Sequence, residues 1–261
     1  MKVVKMGSTG TDVKRLQEYL GLSVDGNFGP NTLEEVKKFQ ATHNLDPDGI
    51  VGKSSWISIY NEHRVPSKSI SWEDYDFMSY LLGCEIAALK AIQKVETGGK
   101  SGFFDNGEPM ILFEGHIFWK QLKAHGLDPL KFVKGNENIL YQKWDKSKYI
   151  GGQREYERLA KASKIHKVAA LESASWGMFQ IMGNNYAQSD CNNVEEFVSL
   201  MQSGQYNQLL LSVRFIYNSP KLRNALAAKD WSTFAKLYNG PGYKLNAYDT
   251  KLMSAYKSYK G

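Results

Sequence analysis

The stretch Ala174-Ser175-Trp176-Gly177-Met178-Phe179-Gln180-Ile181-Met182-Gly183 decides how the larger part of this chain is read. It is an apolar run with a hydroxyl near its start, one amide in its middle and glycines at two points. Gln180, set among Met178, Phe179, Ile181 and Met182, has to find hydrogen-bond partners, because a buried amide left unpaired costs about 1–3 kcal/mol. A polar ligand in a cleft would supply them, and so would neighbouring backbone. The apolar spacing over 176–182 predicts a short helix.

Upstream, helical spacing runs from about Glu85 to Glu96 and stops at the pair Gly98-Gly99. Glu96 follows Ile92 by four residues and Leu89 by seven, so the three share one face. A carboxyl at the end of an apolar stripe loses hydration, and that raises its pKa. A glutamate at a fraying helix end stays solvated, and the spacing by itself admits both states. Ile111-Leu112-Phe113 reads as a strand, with a small hairpin expected between 103 and 113. Downstream, Leu237-Tyr238-Asn239-Gly240-Pro241-Gly242-Tyr243 is a turn bearing two tyrosines. Ser71 and Asp74 have the spacing of a capping box opening a helix that Gly83 ends. Further helical patterns fall near 115–125, 153–172, 194–203, 206–217, 219–228, 230–238 and 246–259. The fold class is therefore mainly α, with a minor β-hairpin.

Residues 1–62 read as a separate small module, 63–70 as a polar linker and 71–261 as the larger domain. In the module, Val13, Leu16, Tyr19 and Leu20 recur at helical spacing, and Asn31 and Thr32 stand where they can cap a second helix. Asp25-Gly26-Asn27-Phe28-Gly29 and Asp48-Gly49-Ile50-Val51-Gly52 echo each other, each followed by a helix.

Composition narrows the function classes. The 261 residues are 42% hydrophobic and 23% charged, as in an ordinary globular protein. A net charge of +6 favours anionic partners, but the basic residues are scattered and form no nucleic-acid-binding run. Cys84 and Cys191 have no metal-ligand spacing and read as free, buried thiols. The N-terminus lacks a signal-peptide core, and no segment reaches the roughly 20 apolar residues of a membrane span.

The module resembles the three-helix peptidoglycan-binding domain of wall hydrolases, on Asp25–Gly29, Thr32, Val36–Gln40, Leu45, Asp48–Gly52 and Trp56. Asp25, Phe28, Asp48 and Trp56 are then its candidate wall-binding residues. The segments Glu96–Gly99, Ile111–His116, Ser175–Gly183 and Tyr238–Gly240 together resemble the lysozyme superfamily of goose-type lysozymes and soluble lytic transglycosylases. They resemble most the N-acetylmuramidase domain of phage and prophage endolysins.

What the resemblance implies is a lysozyme-like catalytic domain that cuts between N-acetylmuramic acid and N-acetylglucosamine, with Glu96 as general acid. Such cleavage needs a carboxylic acid still protonated near neutral pH. Glu114 is the candidate second catalytic carboxylate, or else a brace for the following helix start. Asp105 and Glu108 are alternative bases or solvated loop charges, and His116 could orient a carboxylate. Ser175, Gln180, Tyr217, Tyr238 and Asn239 are candidate substrate contacts. The expected partner is the peptidoglycan glycan strand, engaged by a monomer without nucleic acid, membrane insertion, metal or organic cofactor. Such an enzyme is made in a host cytoplasm and released through holin-made holes to act on the wall. The alternatives are a lytic transglycosylase, which leaves 1,6-anhydro ends, and a non-catalytic wall-binding protein that keeps the fold.

Overall fold

The structure, a computed structural model, describes residues 1–64 and 67–260 and divides into two compact units, 1–66 and 67–261. Within the expected linker at 63–70, Val65 and Pro66 lie outside the described residues, as does Gly261 at the end of the larger domain.

The smaller unit holds helices α1 (Thr11–Tyr19), α2 (Pro30–Thr42) and α3 (Lys53–His63). Val13, Leu16, Phe28, Val36, Trp56 and Ile59 form its core. The two echoing loops are one device used twice. Gln17 Nε2 donates to Asp25 Oδ1 (2.7 Å), while Gln17 Oε1 accepts from Gly26 N–H (2.9 Å). Gln40 repeats this with Asp48 Oδ1 (3.0 Å) and Gly49 N–H (2.9 Å). Each aspartate also accepts a backbone N–H at 2.7 Å, from Asn27 and Ile50 respectively. Gly26 and Gly49 take positive φ (76° and 75°), which glycine permits without a Cβ clash. Asn31 and Thr32 do not cap α2. Gly29 is its N-cap and Pro30 fills the first turn, where a missing N–H costs nothing.

The larger unit begins with α4 (Trp72–Leu82), opened by the expected capping box of Ser71 and Asp74 and closed by left-handed Gly83. Then come α5 (Ile86–Thr97), β1 (Ile111–Phe113), α6 (Gly115–Ala124), α7 (Glu155–Ser163) and α8 (Lys167–Glu172). β2 (Ala174–Trp176) and β3 (Ile181–Met182) precede α9 (Val194–Ser203), α10 (Gln205–Tyr217), α11 (Pro220–Ala228), α12 (Trp231–Asn239) and α13 (Tyr248–Lys260).

Two local expectations fail. No hairpin forms within 103–113; Phe103 and Pro109 share one isolated bridge, and β1 pairs antiparallel with β2 across a long connection. Nor is 176–182 a helix. Its residues form the end of β2, a tight turn at Gly177–Phe179 and β3, and β2 pairs with β3. Positive φ at Gly177 (71°) and Gln180 (49°) breaks helical continuation, and Gly177 N–H bonds Met110 O at 2.7 Å across the sheet. A short apolar run fits a buried strand as well as a helix, so spacing did not separate them. The segment 153–172 likewise divides in two, because His166 caps α8 by accepting Ala169 N–H.

A buried ion pair ties the long connection to β1. Arg158 (1% exposed) donates from one terminal nitrogen to Glu155 Oε2 and to Phe113 O, both at 2.7 Å. Glu155 Oε1 accepts N–H from Ile150 (2.9 Å) and Gly151 (2.8 Å). Both charges are thus hydrogen-bonded, as burial demands. Cys84 and Cys191 are free thiols, Cys84 half-buried and Cys191 buried. Among the described residues no helix is long and apolar enough to cross a membrane.

Candidate active site

The candidate site forms where α5 ends. Gly98, left-handed at φ 62°, stops the helix immediately after Thr97. That leaves Glu96 in the last turn, half-buried. Burial pushes its carboxyl pKa up to about 7, and an Asn239 hydrogen bond and the Lys251 charge only partly oppose this. Of the two states left open by the spacing, the desolvated one is found.

Asn239, at the end of α12, donates from Nδ2 to Glu96 Oε1 at 3.0 Å. Its own Oδ1 is buried without a hydrogen-bond partner. Neighbouring Tyr238 donates its hydroxyl to Phe179 O at 2.7 Å, which links α12 to the Gly177–Phe179 turn. Its ring stacks on Phe234 at 5.3 Å. Burial, reinforced by the Glu96 charge, holds the Tyr238 hydroxyl well above the usual phenol pKa, and the same two causes raise Tyr248. Both phenols therefore stay neutral and able to donate.

Gln180 and Ser175 meet, with Ser175 Oγ donating to Gln180 Oε1 at 2.7 Å. Gln180 Nε2 donates to Gly177 O (2.9 Å) and Met110 O (3.2 Å). Of the partners open to this amide, backbone is the one it takes, and it braces the turn beneath Tyr238. The turn's other brace is the fully buried Gln208, whose Oε1 accepts Met178 N–H at 2.7 Å. Gly177 has to be glycine here, since an added Cβ would sit 2.7 Å from the Gln208 amide carbon.

Glu114 bonds a different set of side chains. It is the N-cap residue of α6 but makes no side-chain cap, contrary to the bracing role considered for it. The Tyr149 hydroxyl bonds its Oε2. His116 Nδ1 lies 3.3 Å from the same oxygen but without hydrogen-bond alignment. The groups that oppose the rise in the Glu96 pKa are Asn239 and Lys251. Asp105 is exposed, and Glu108 Oε2 accepts the Asn106 side chain within the same loop. Tyr217, at the end of α10, is 37% exposed, with the Arg223 guanidinium 4.8 Å from its ring centroid.

In the smaller unit, Phe28 (2% exposed) and Trp56 (0%) are core residues, and the Trp56 indole donates to Lys2 O at 2.8 Å. Asp25 and Asp48 spend their carboxylates on the loop network. All four residues build the module; Asp25 and Asp48 are exposed at its surface, each holding the loop through its Oδ1.

Tyr248 and Lys251, on the first turns of α13, are the site residues that spacing missed. Nothing in the local pattern of α13 separates them from other surface positions, and only helix packing brings them to Glu96.

Residues 85–260 match the N-acetylmuramidase family, and residues 9–57 match a putative peptidoglycan-binding domain. The crystal structure of the Burkholderia AP3 phage endolysin is similar, with a TM-score of 0.66, 36% identity and 99% of each chain covered. Two curated relatives match shorter stretches. A protein encoded in the bpoA1 3′ region of Kitasatospora aureofaciens is 42% identical over 64 residues, 22% of this chain. A zinc D-Ala-D-Ala carboxypeptidase of Streptomyces albus G is 40% identical over 62 residues, 21% of this chain. The chain spans 54% of the first relative and 24% of the second.

Proposed function

Because the chain belongs to the N-acetylmuramidase family, we propose that it is an endolysin that hydrolyses the β-1,4 bond between N-acetylmuramic acid and N-acetylglucosamine, with Glu96 as general acid. The observation that carries this is the desolvated Glu96 carboxyl, with a pKa of about 7, held against Asn239. Near neutral pH a substantial fraction of such a carboxyl keeps its proton. Glu96 gives that proton to the glycosidic oxygen as its bond to muramic acid C1 breaks. The carboxylate left behind is stabilised by the Asn239 N–H and the Lys251 charge. Water adds to C1 and gives up a proton, which restores the protonated acid for the next turnover and leaves a reducing muramic acid end. The unpartnered Asn239 Oδ1 supports a substrate contact, since an acetamido N–H or a sugar hydroxyl would satisfy it.

Tyr238, Gln180 and Ser175 act through the turn that shapes the site. Tyr217 is kept as an outer substrate contact. Glu114 holds the loop carrying Tyr149, and Glu114→Gln should therefore retain measurable turnover. The smaller unit keeps the enzyme on insoluble polymer and raises the local substrate concentration. Host lysis after holin-mediated release, by a monomer that needs no cofactor, completes this reading.

A second reading, a lytic transglycosylase, draws on one observation. Asn239 is the hydrogen-bond partner of the Glu96 carboxyl and no carboxylate bonds that pair among the described residues; if none lies across the cleft, the substrate's own 6-hydroxyl serves as nucleophile in place of water. One experiment separates the outcomes: digest purified Gram-negative peptidoglycan with wild type and Glu96→Gln, reduce with borohydride, and identify the ends by mass spectrometry. Reducible muramic acid ends from wild type alone support the hydrolase, and anhydro ends move the protein to the transglycosylases. An undiminished Glu96→Gln variant removes Glu96 from the mechanism.

A further inference from the structure

A cavity of about 530 Å³ opens between the end of α5 and one face of α13. Its wall includes Val95 and Gly98, which flank the Glu96-Thr97 pair in the chain. The floor is largely apolar, with Val95, Ala247 and Ala255, while Thr250 and Ser254 add hydroxyls. Two lysines, Lys94 and Lys251, complete the lining. Neither forms an ion pair among the described residues. Lys94 Nζ donates to Ser258 Oγ at 3.2 Å, and Lys251 Nζ lies 5.7 Å from the Tyr248 ring centroid. The Lys251 charge is felt at Glu96, so the cavity lies within electrostatic reach of the proposed acid.

We propose that this cavity is a subsite for the stem peptide carried on N-acetylmuramic acid, with Lys94 and Lys251 pairing its carboxylates and the apolar floor taking its methyl groups. The inference rests on the muramidase reading of Glu96 and adds to it a second recognition element. A peptide attached to the lactyl group at C3 leaves the sugar ring a few bonds from the anomeric carbon that Glu96 serves. Stem peptides combine alanine methyl groups with free carboxylates. A pocket of small apolar side chains bordered by two ammonium groups without a salt-bridge partner among the described residues is complementary to that combination, whereas a bare sugar offers neither feature. The cavity is also open to solvent, as a branch from a polymer requires.

The test compares two soluble substrates: peptide-bearing glycan strands, and the same strands stripped by an amidase that cuts the lactyl–peptide bond. Stripped strands keep one lactyl carboxylate per muramic acid and so remain anionic, and comparison of the variants at raised salt removes the remaining long-range attraction. The measured quantity is the ratio of kcat/KM on peptide-bearing to stripped strands, for wild type, Lys94→Met, Lys251→Met and the double variant. Any effect of Lys251 on Glu96 itself is common to both substrates and cancels. The ratio should exceed one in wild type, fall about threefold in each single variant and about tenfold in the double variant, as expected for partly exposed charge contacts. A ratio unchanged by the substitutions, or a wild type that prefers stripped strands, would overturn the subsite while leaving the muramidase reading intact. Cleavage of neither substrate by wild type would overturn that reading and the subsite with it.

Discussion

Replacing Glu96 by Gln should abolish activity and also stabilise the protein, by an amount that depends on pH. The carboxyl pKa is raised from 4.5 to about 7 by burial. A raised carboxyl pKa means that the folded state binds a proton more tightly than the unfolded chain does. The wild type therefore loses stability as pH rises from about 4.5 to about 7, and the loss levels off above that window. A shift of about 2.5 units corresponds to roughly 3 kcal/mol at 1.36 kcal/mol per unit. Glutamine occupies nearly the same volume, can still accept the Asn239 N–H, and has no charge to desolvate. Glu96→Gln should then match wild type near pH 4 and exceed it by up to about 3 kcal/mol at pH 8. The assay is urea unfolding at a series of pH values, followed by tryptophan fluorescence. Trp72, Trp119, Trp144, Trp176 and Trp231 all lie in the larger unit, so the signal reports chiefly on it. A pH-independent difference would refute the desolvation argument, and with it the physical basis for treating Glu96 as an acid poised near neutrality. A stabilised but inactive variant is the usual mark of a site held in a costly state for function.

Other substitutions probe the surroundings. Asn239→Ala removes the hydrogen bond that lowers the Glu96 pKa, so the alkaline limb of the kcat/KM profile should move to higher pH while activity falls about tenfold or more; a limb that stays in place would detach Asn239 from the acid. Gln40→Ala strands the buried Gly49 N–H and removes a donor from Asp48, and it should destabilise the smaller unit by about 1–3 kcal/mol. In a Glu96→Gln background, pull-down on purified peptidoglycan should weaken with Gln40→Ala, and full retention would argue against this loop as the module's structural key. Arg158→Met strands the buried Glu155 carboxylate and should cost about 3–5 kcal/mol in chemical denaturation; a change below 1 kcal/mol would show that the pair is not effectively buried.

Much of the helical architecture was legible in the residues. The Ser71–Asp74 box, the stop at Gly83 and the stop at Gly98 use local chemistry that operates wherever the chain goes, and all three appear as read. The same holds for the apolar stripe that places Glu96 in line with Leu89 and Ile92. Strand pairing was not legible. β1 finds its partner in β2, across an insertion that includes α6, α7 and α8, and nothing within 103–113 encodes that choice. The turn at Gly177 was not legible for a related reason. Its conformation is fixed by Gln208 and by Met110, which come from distant elements.

The candidate site divides the same way. By itself the sequence determined that a carboxyl would stand at the end of an apolar helix face, and that a Tyr-Asn-Gly turn would follow far downstream. Helix periodicity and capping depend on residues within a few positions of one another, so a linear reading suffices for them. Only the tertiary structure decided that Asn239 reaches Glu96, that Lys251 and Tyr248 join them, and that Glu114 bonds Tyr149 instead. The carboxyl's pKa belongs to that second class. Desolvation sums over every atom packed around the group, and those atoms come from elements that only the fold brings together.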